Sequence, residues 1–454
     1  MKKRIIATVL ATTMILSTLL TGCGNEASKE TSESAPESAP EEGEEQEALG
    51  NTESDKVLHI WSFTDEVKVM IENYYLADHP DIDYKIEVTV IPSDSYETKL
   101  DSALATGKGG PDLFALNAPY VQKYTYSDLT MNVADLGISE EELSANLAYV
   151  NDAARDAEGN IKAISWQACP GGFFYRRSIA EEYLGTQDPD EVQAMISDFD
   201  SFLETAELLN TASNGEVKII AGPKEIGQIY FANQESPWIV GDDFVISENI
   251  YEYMDTAKIL QDNGYTSEIE GWTEGWFTGI NQDNIFGYVL PTWGLHYVLK
   301  TNAEDKEAGT TTAGDWAVIQ GPGSYFNGGT WLTVRNGSEM TEEAAELIRY
   351  ITTDEKFLTQ YAKDTGDVLA NQTVADAIKG DFEEEFLGGQ NHYEMFSDLA
   401  KEVTADTITG EDGAIQLLLN AQVDEYIRGN KDKETAIADF KANVKNAYPQ
   451  LNVE

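Results

Sequence analysis

Short apolar runs alternate with amphipathic segments along the chain from residue 57 onward. Residues 57–61 and 111–116 are mostly apolar, and apolar and polar side chains alternate over 84–90, as expected of strands. Between these runs, apolar residues recur every three to four positions over 67–74 and 95–106, which predicts two amphipathic helices. Strands that alternate with helices indicate an α/β fold with mostly parallel, doubly wound sheets.

The same alternation continues beyond a polar turn at residues 157–160. A strand is predicted over 161–166, and Asp188 followed by Pro189 is a typical start of a long helix. Further strands are predicted near 286–293, 316–318 and 328–334. The C-terminal part is predicted to be largely helical, and no internal repeat of solenoid or propeller length is present in the sequence.

Aromatic and polar side chains follow two of the predicted strands. Trp61 and Phe63 lie at the end of the first strand, Asp65 comes just after them, and Asn117 follows the third strand. In open α/β sheets, ligands bind at the carboxyl ends of the strands. We therefore expect these side chains to face one crevice, where they can contact a ligand.

The first 22 residues have the pattern of a secretory signal peptide. Three basic residues at 2–4 precede an apolar run over 5–20, which is the usual order in such signals. Residues 20–23 resemble a bacterial lipobox, which implies that Cys23 becomes a lipidated N-terminus, carrying a fatty acid such as palmitate. Buried acyl chains anchor a protein to a membrane, so we expect this protein at the extracytoplasmic face of the cell membrane.

A polar, acidic segment separates Cys23 from the first predicted strand. Residues 24–55 contain eleven acidic residues, and only Lys29 is basic. Such a segment has few side chains to bury and its like charges repel one another, so residues 23–55 are predicted to be the lipidated Cys23 followed by a disordered tether.

The charge balance and the numbers of cysteines and histidines exclude several classes of protein. There are 81 acidic residues against 30 Lys and Arg, for a formal net charge of −51. A nucleic-acid binder needs a basic face, so no nucleic-acid partner is expected. Two cysteines and four scattered histidines are too few to suggest a disulfide scaffold or a metal cluster, and we predict neither a metal nor a cofactor.

Four motifs occur in order between residue 57 and the C-terminus. They are Pro111-Asp112-Leu113-Phe114, Gly171-Gly172-Phe173-Phe174-Tyr175-Arg176-Arg177, Phe286-Gly287-Tyr288 leading into Pro291-Thr292-Trp293, and Gly328-Gly329-Thr330-Trp331. With the lipobox and the acidic tether, this order resembles the extracellular solute-binding lipoproteins of bacterial ABC importers. Among these proteins, it is most similar to the carbohydrate-binding family 1, which is related to maltose-binding proteins.

The resemblance implies a two-lobed periplasmic-binding-protein fold of type II, with α/β lobes joined by hinge strands. It implies an N-lobe over 56–162 and 286–350 and a C-lobe over 163–285 and 351–454. In such proteins the ligand binds between the lobes and shifts the hinge toward the closed state. The permease of the ABC transporter then receives the ligand. The implied protein is a monomeric sugar-binding component and not an enzyme.

The resemblance also implies that Trp293 stacks on a sugar ring. Other candidates for the ligand site lie in segments expected to line the cleft, namely Trp61, Phe63, Asp65, Asn117, Trp166, Trp272, Trp331 and Asp367. Sugar rings offer apolar faces to aromatic rings, and carboxylates and amides bond the hydroxyls around the edge. Tryptophans also fill cores: Trp316 is predicted to be one of these, and Trp272 and Trp276, four residues apart, fit either role.

Other ligands and one other class of protein remain open from the residues alone. A polyamine would suit a carboxylate-rich cleft, and ferric iron could use Tyr74 and Tyr75, although Tyr74 lies on the predicted core face of its helix. A secreted glycosidase would need two carboxylates in the cleft, and the sequence carries no hydrolase or phosphate-loop motif. Cys169 is expected to be an unpaired buried thiol, with a reactive thiol as the alternative.

Overall fold

The computed structural model describes residues 48–106, 110–306 and 308–454. The predicted signal peptide, Cys23 and the tether up to residue 47 lie outside the described residues. No helix in the described part of the chain is long and apolar enough to cross a membrane.

The strands among the described residues are short. They are β1 (Leu49–Gly50), β2 (Val57–Ser62), β3 (Lys85–Val90), β4 (Leu113–Asn117), β5 (Ile164–Ser165), β6 (Gly171–Arg176), β7 (Ile239–Val240), β8 (Asp243–Phe244), β9 (Gly287–Pro291), β10 (Glu304–Asp305), β11 (Thr310–Thr311), β12 (Trp316–Ile319) and β13 (Thr330–Val334).

Helices connect and cover these strands. They are α1 (Glu66–Met70), α2 (Leu76–Asp78), α3 (Ser93–Thr106), α4 (Val121–Thr125), α5 (Ala148–Asp152), α6 (Arg177–Tyr183), α7 (Pro189–Met195), α8 (Phe199–Ala212), α9 (Gly227–Ala232), α10 (Glu248–Asp262), α11 (Glu274–Gly279), α12 (Thr292–Gly294), α13 (Lys300–Asn302), α14 (Thr341–Thr353), α15 (Glu355–Thr365), α16 (Gln372–Ile378), α17 (His392–Leu399), α18 (Asp412–Ile427) and α19 (Lys433–Ala447). Two π-helical segments, Ile71–Tyr75 and Leu295–Leu299, continue α1 and α12. Short 3-10 segments are Ala118–Tyr120, Val133–Leu136, Lys379–Asp381 and Glu385–Leu387.

The larger sheet has the strand order β1-β3-β2-β4-β13-β5. Strand β2 pairs in parallel with both β3 and β4, while β13 runs antiparallel to β4 and β5. Trp61 is the last residue but one of β2 and Asn117 is the last residue of β4, so both lie at the carboxyl ends of these parallel strands. Thr330, at the start of β13, pairs with Asn117, so the returning strand enters the sheet at this end.

The second sheet has the order β12-β6-β9, and all of its pairs are antiparallel. Its side chains alternate between two hydrophobic cores. Phe174 belongs to the first core, whereas its neighbours Phe173 and Tyr175 belong to the second. The same holds for Val318 and Ile319 on β12. Because successive side chains of a strand point to opposite faces, this sheet separates the two cores.

Each core is completed by helices. The first core surrounds the larger sheet, with Leu116 and Leu332 from its strands and Ile348 and Phe357 from α14 and α15. The second core is formed by the sheet face opposite the first core and by α8, α10, α18 and α19. Two segments, 166–170 and 320–329, carry the chain between the sheets, and Pro170 forms a β-bridge with Phe326 where they run side by side.

The predicted α/β, two-lobed fold class is confirmed by the two cores and their crossing segments. One detail differs, since the second sheet is antiparallel rather than doubly wound. The limits of the two lobes stay a prediction. Helices α14–α17 lie on both sides of the predicted limit at residue 350. All four helices bury side chains in the first core.

Residues 48–55, which we predicted to be part of the disordered tether, are ordered in the structure. Leu49 and Gly50 pair with Ile86 and Lys85 of β3 at the edge of the larger sheet. Leu49 packs against the first core, so its apolar side chain and the unpaired edge of β3 together order this segment.

Candidate functional site

A cavity of about 310 Å³ lies where the two cores adjoin. It is called the aromatic cavity here, and its main lining residues are Lys224, Glu225, Gln228, Glu270, Trp272, Trp276, Leu290, Trp293, Asn327 and Asn420. Leu290 belongs to the first core, whereas the adjacent Val289, which also lines the cavity, belongs to the second. A cavity at such a boundary is a common place for a ligand site.

The indole of Trp293 is fixed by the chain around it. Trp293 lies in α12, directly after β9, and its Nε1 donates to the Asn327 carbonyl oxygen at 2.9 Å. Gly328 has a φ of +81°, and a Cβ there would lie 2.7 Å from the Trp293 Nε1. Glycine at 328 therefore permits both the left-handed backbone and the close approach of the ring. The ring is half-buried and keeps part of its surface for a ligand.

Two further tryptophans complete an aromatic wall. The ring of Trp272 stacks on that of Trp293 with centroids 5.8 Å apart and lies 5.3 Å from that of Trp276. Trp276 is buried, while Trp272 is 59% exposed. The backbone of Trp272 has a φ of +65°, a conformation that costs a bulky side chain free energy. An exposed indole held in a strained conformation at the cavity mouth is a feature typical of a binding site.

Lys224 is neutralised by two acidic residues beside the cavity. Its Nζ lies 2.9 Å from a carboxylate oxygen of Glu270 and 2.9 Å from one of Asp424. Lys224 is therefore not free to pair with an anionic ligand, and Glu270 is not free to pair with a cationic one.

Two buried polar atoms in the aromatic cavity have no hydrogen-bond partner among the described residues, Glu225 Oε2 and Trp276 Nε1. The other oxygen of Glu225 accepts from the Gly222 amide at 2.7 Å. Burial raises the pKa of Glu225 to about 7. The Gly222 amide and the nearby Trp276 N–H oppose this change in part. Buried polar groups are normally satisfied, so these two atoms are suited to bond a polar ligand.

A second cavity, of about 300 Å³, adjoins the aromatic cavity. Four polar residues line both cavities, namely Lys224, Gln228, Asn327 and Asn420. The remaining walls of the second cavity include Pro119, Phe231, Ala232, Phe326 and Gln416.

A third cavity, of about 270 Å³, shares Trp293 with the aromatic cavity and is called the acidic cavity. Its lining residues are Glu66, Trp293, His296, Tyr297, Tyr361, Asp364, Thr365 and Asp367. Gln167 Nε2 donates to Glu66 Oε1 at 3.3 Å and to Asp367 Oδ2 at 3.0 Å, so one amide joins the two carboxyl groups. Trp166 Nε1 donates to the same Asp367 oxygen at 3.2 Å.

Burial raises the pKa of both carboxyl groups in the acidic cavity. Burial, and then the charge of Asp367, raises the pKa of Glu66. Burial also raises the pKa of Asp367, although hydrogen bonds from Gln167 and Trp166 oppose this change. Because like charges in one small cavity repel, the pair holds a proton more strongly than an isolated carboxylate does.

The structure brings three of the predicted site residues to these cavities: Trp272, Trp293 and Asp367. Trp166 and Trp331 are fully buried, and the Trp331 Nε1 donates to the Val150 carbonyl oxygen at 2.8 Å. Neither ring has a face free for a ligand in this conformation. Trp166 instead donates a hydrogen bond to Asp367.

The remaining candidates lie near the end of β2 and β4. Trp61 and Phe63 are half-buried against the first core, and the ring of Phe63 contacts that of Tyr96 at 5.6 Å. Asp65 is exposed at the start of α1, and Asn117 is half-buried at the end of β4. None of these four residues lines the three cavities described above.

The structure also shows the surroundings of Tyr74 and Tyr75, considered above for ferric iron, and of Cys169. Tyr75 is buried with its hydroxyl 2.8 Å from that of Tyr84, and Tyr74 donates to Asp364 at 2.9 Å, so the two hydroxyl groups serve different partners. Cys169 is buried and unpaired, and burial raises the pKa of its thiol well above the usual range. Among the described residues, no group of three or more His, Cys, Asp or Glu is placed to hold a metal ion.

Sequence reasoning missed several residues that line the cavities. Glu66 directly follows the predicted Asp65, and only the helix orientation decides which of the two carboxyls points inward. From the sequence, Trp276 fits either a core or a ligand site, and its spacing of four residues from Trp272 is the available signal. Glu225 and Asn420 carry no local pattern, because tertiary packing alone brings them to the cavity.

The sequence between residues 73 and 387 matches the family model described as bacterial extracellular solute-binding protein. No curated protein sequence matches the chain significantly. The fold is similar to a solved extracellular solute-binding protein of family 1, with a TM-score of 0.76 at 19% identity over 86% of this chain and 99% of that chain.

Two solved structures from named organisms are also similar in fold. An ABC transporter-associated binding protein from B. animalis subsp. lactis Bl-04, in complex with β-1,6-galactobiose, gives a TM-score of 0.67 at 19% identity over 86% of this chain and 97% of that one. The sugar-binding protein MalE from Xanthomonas citri gives a TM-score of 0.69 at 15% identity over 86% and 97%. The fold agrees with theirs, and the family match spans well over half of the sequence, so the chain belongs to the bacterial extracellular solute-binding proteins.

Proposed function

We propose that this protein is the substrate-binding component of an ABC transporter and captures a sugar or oligosaccharide in the aromatic cavity. The observation that carries the proposal is the wall formed by Trp272, Trp276 and Trp293, next to the unpartnered Glu225 Oε2 and Trp276 Nε1. A pyranose combines apolar C–H faces with a rim of hydroxyl groups, which such a wall and such polar atoms complement. Similar solved proteins bind β-1,6-galactobiose or are described as sugar-binding.

The charges beside the cavity favour a neutral ligand over a polyamine. The Glu270 and Asp424 carboxylates are already paired with Lys224. Glu225, whose pKa is raised to about 7 by burial, is partly protonated at neutral pH. A polyamine would need ionised carboxylates that lack a partner, whereas a hydroxyl group can bond a carboxyl in either protonation state.

The proposal extends to capture, delivery and location. Ligand contacts with both cores are complete only when the cleft closes, so the ligand shifts the protein to the closed form and a permease then receives the ligand. The proposed site includes Trp272 and Trp293, which line the aromatic cavity, and Asp367, which lines the acidic cavity on the other side of Trp293. We further propose that Cys23 is lipidated after removal of the signal peptide, and that the protein acts as a monomer at the extracytoplasmic face of the membrane.

A calorimetric binding screen tests the function directly. The mature chain is titrated with maltodextrins, xylo-, manno- and galacto-oligosaccharides, and separately with spermidine. We expect heat of binding and a change of tryptophan fluorescence with at least one sugar series, and no cleavage products after prolonged incubation. Binding of spermidine alone would transfer the proposal to a polyamine, and shortened oligosaccharides would indicate an enzyme.

A further inference from the structure

Two histidines pack around one glycine beside the acidic cavity. A Cβ built on Gly366 would lie 3.2 Å from His296 Nε2 and 3.5 Å from His392 Nε2, so both nitrogens lie close to this glycine. His296 Nε2 and both ring nitrogens of His392 are buried and have no hydrogen-bond partner among the described residues. The His392 side chain is deeply buried, since the residue is only 3% exposed. Buried polar groups are normally satisfied, so such a cluster is unusual in a folded protein.

The surroundings of the two rings favour their neutral forms. Burial lowers the pKa of His296 to about 4, and the charge of Lys300 adds to this effect. Burial also lowers the pKa of His392 to about 4, although the Glu384 carboxylate and the nearby Gly366 carbonyl oxygen oppose the change in part. Glu384 is itself paired with Lys300 at 2.8 Å. His392 is the first residue of α17, where the positive end of the helix dipole disfavours a charged ring.

The other ionisable groups near the pair respond to acid differently. They line the acidic cavity together with His296, and are Glu66, Tyr297, Tyr361, Asp364 and Asp367. Burial raises the pKa values of Glu66 and Asp367, so these groups lose a charge in acid. Burial also raises the pKa values of both tyrosines, which stay neutral in acid. Among these neighbouring groups and the pair, only the two histidines gain a charge as pH falls.

The pair is connected to the ligand site through one helix. Trp293 lies in α12, and the π-helical segment Leu295–Leu299 continues this helix, so His296 comes about one turn after Trp293. On the opposite side of the contact, His392 begins α17 and Gly366 ends α15. A change that separates the two histidine rings therefore moves the helix that carries Trp293 away from α15 and α17.

We propose that the His296–His392 pair is an acid-sensitive switch for the ligand site. Uptake of a proton by either ring opens the contact between the π-helical segment and α17, because a charged ring requires solvent. The opening displaces Trp293 from the wall of the aromatic cavity, so acid favours release of the ligand. The effect on the ligand rests on the proposed function, whereas the opening of the segment does not.

The direction and the size of the effect follow from the two states of each ring. A ring that opens to solvent has the ordinary pKa of 6.5, whereas each buried ring has a pKa of about 4. The opened form therefore binds more protons, and it is favoured as pH falls from 6.5 to about 4. For one ring, these pKa values raise the equilibrium constant for opening about 30-fold between pH 7.5 and pH 5.

Hydrogen exchange followed by mass spectrometry measures the opening. The ligand-free protein is labelled at pH 5, 6 and 7.5, and the rates are corrected for the pH dependence of intrinsic exchange. In peptides that cover residues 292–302, we expect the opening constant to rise at least about tenfold from pH 7.5 to pH 5. Helix α8, which packs in the second core, should show no such rise. A smaller rise in 292–302, or an equal rise in α8, would overturn the switch.

Variants assign the rise to the two rings. His296→Gln and His392→Gln remove one ionisable ring each, and each should reduce the rise. The double variant should abolish it. His296→Leu, which has no polar atom to bury, replaces His296→Gln if the glutamine variant does not fold. His59→Gln is the matched control, because His59 is exposed on β2, and it should behave as the wild type does. A full rise in a folded variant that lacks both rings would show that other groups cause the opening.

The sugar found in the calorimetric screen tests the connection to the ligand site. If the opened form does not bind sugar, a concentration of about 100 times the dissociation constant should lower the opening constant of 292–302 about 100-fold. An opening constant that the sugar leaves unchanged would disprove the connection to Trp293. If no sugar binds to the wild type, the proposed function fails, while the exchange of the ligand-free protein still decides whether the histidines open the segment.

Discussion

Replacing Glu225 by glutamine should change how stability depends on pH. Glu225 lies beside the aromatic cavity, with one carboxyl oxygen bonded to the Gly222 amide and the other without a partner. Glutamine keeps the size of the side chain and an oxygen that can accept from Gly222, but it cannot ionise. The variant Glu225→Gln therefore isolates the effect of burying this carboxyl group.

The size of the effect follows from the raised pKa. Burial raises the pKa of Glu225 from 4.5 to about 7, whereas the unfolded chain keeps the ordinary value. Between these two pH values the folded protein retains a proton that the unfolded chain releases. The free energy of unfolding therefore falls as pH rises through this window, by about 3 kcal/mol at about 1.4 kcal/mol per pH unit. Below pH 4.5 and above pH 7 the contribution is constant.

Urea unfolding followed by tryptophan fluorescence measures this difference. Free energies of unfolding are determined at pH 5, 6, 7 and 8 for the wild type and for Glu225→Gln. Glu66, Asp367 and Asp412, whose pKa values are also raised by burial, occur in both proteins and cancel in the comparison. We expect the wild type to lose about 3 kcal/mol more than the variant between pH 5 and pH 8.

Glu274→Gln is the matched control, because Glu274 is exposed on α11 near the same cavity. This control should follow the wild type at every pH. If Glu225→Gln also stays parallel to the wild type from pH 5 to pH 8, the carboxyl is solvated in solution and the reasoning from its burial is refuted.

Three further predictions concern the tryptophans and one glycine. Trp293→Ala should weaken sugar binding by about 10- to 100-fold in calorimetry, since both stacking and apolar contact are lost; Tyr126→Ala, an exposed aromatic outside the cavities of the candidate site, should bind normally. The free energy of unfolding of Trp272→Gly should be about 1 kcal/mol higher than that of Trp272→Ala, because only glycine adopts a φ of +65° without strain. Equal stability of the two variants would show that this backbone is unstrained. Gly171→Ala should destabilise the protein by about 1–3 kcal/mol or prevent folding, because the new Cβ would lie 1.9 Å from the Tyr325 ring; a melting temperature equal to that of the wild type would contradict this packing.

Local periodicity was sufficient for most of the first lobe. The strand predicted over 84–90 is Lys85–Val90, and the helix predicted over 95–106 is Ser93–Thr106. Both carry strong patterns, because one face of each is buried in the same core. The pairing of Leu49–Gly50 could not be predicted, since two residues in an acidic segment give no pattern and the partner strand lies 36 residues later.

The tryptophans show why a site is harder to predict than a fold. Trp166, Trp293 and Trp331 all lie at or near strand ends in the sequence, yet only Trp293 keeps surface for a ligand. The difference arises from distant residues: Val150 accepts from Trp331, and Asp367 accepts from Trp166. Residue type and spacing select the candidates, and tertiary contacts decide which of them are exposed.

The contacts of Trp293 connect the site to the segments that join the two sheets. Trp293 donates to the carbonyl of Asn327, and the Asn327 amide in turn donates to the Cys169 carbonyl at 3.2 Å, from one crossing segment to the other. Asn327 also lines both the aromatic cavity and the second cavity. The two crossing segments take part in any change of the angle between the lobes, so such a change would move the Trp293 ring and Asn327 together. Under the proposed function, a ligand that contacts Trp293 and Asn327 therefore acts on backbone that moves when the lobes close, which is how binding in the aromatic cavity can favour the closed state.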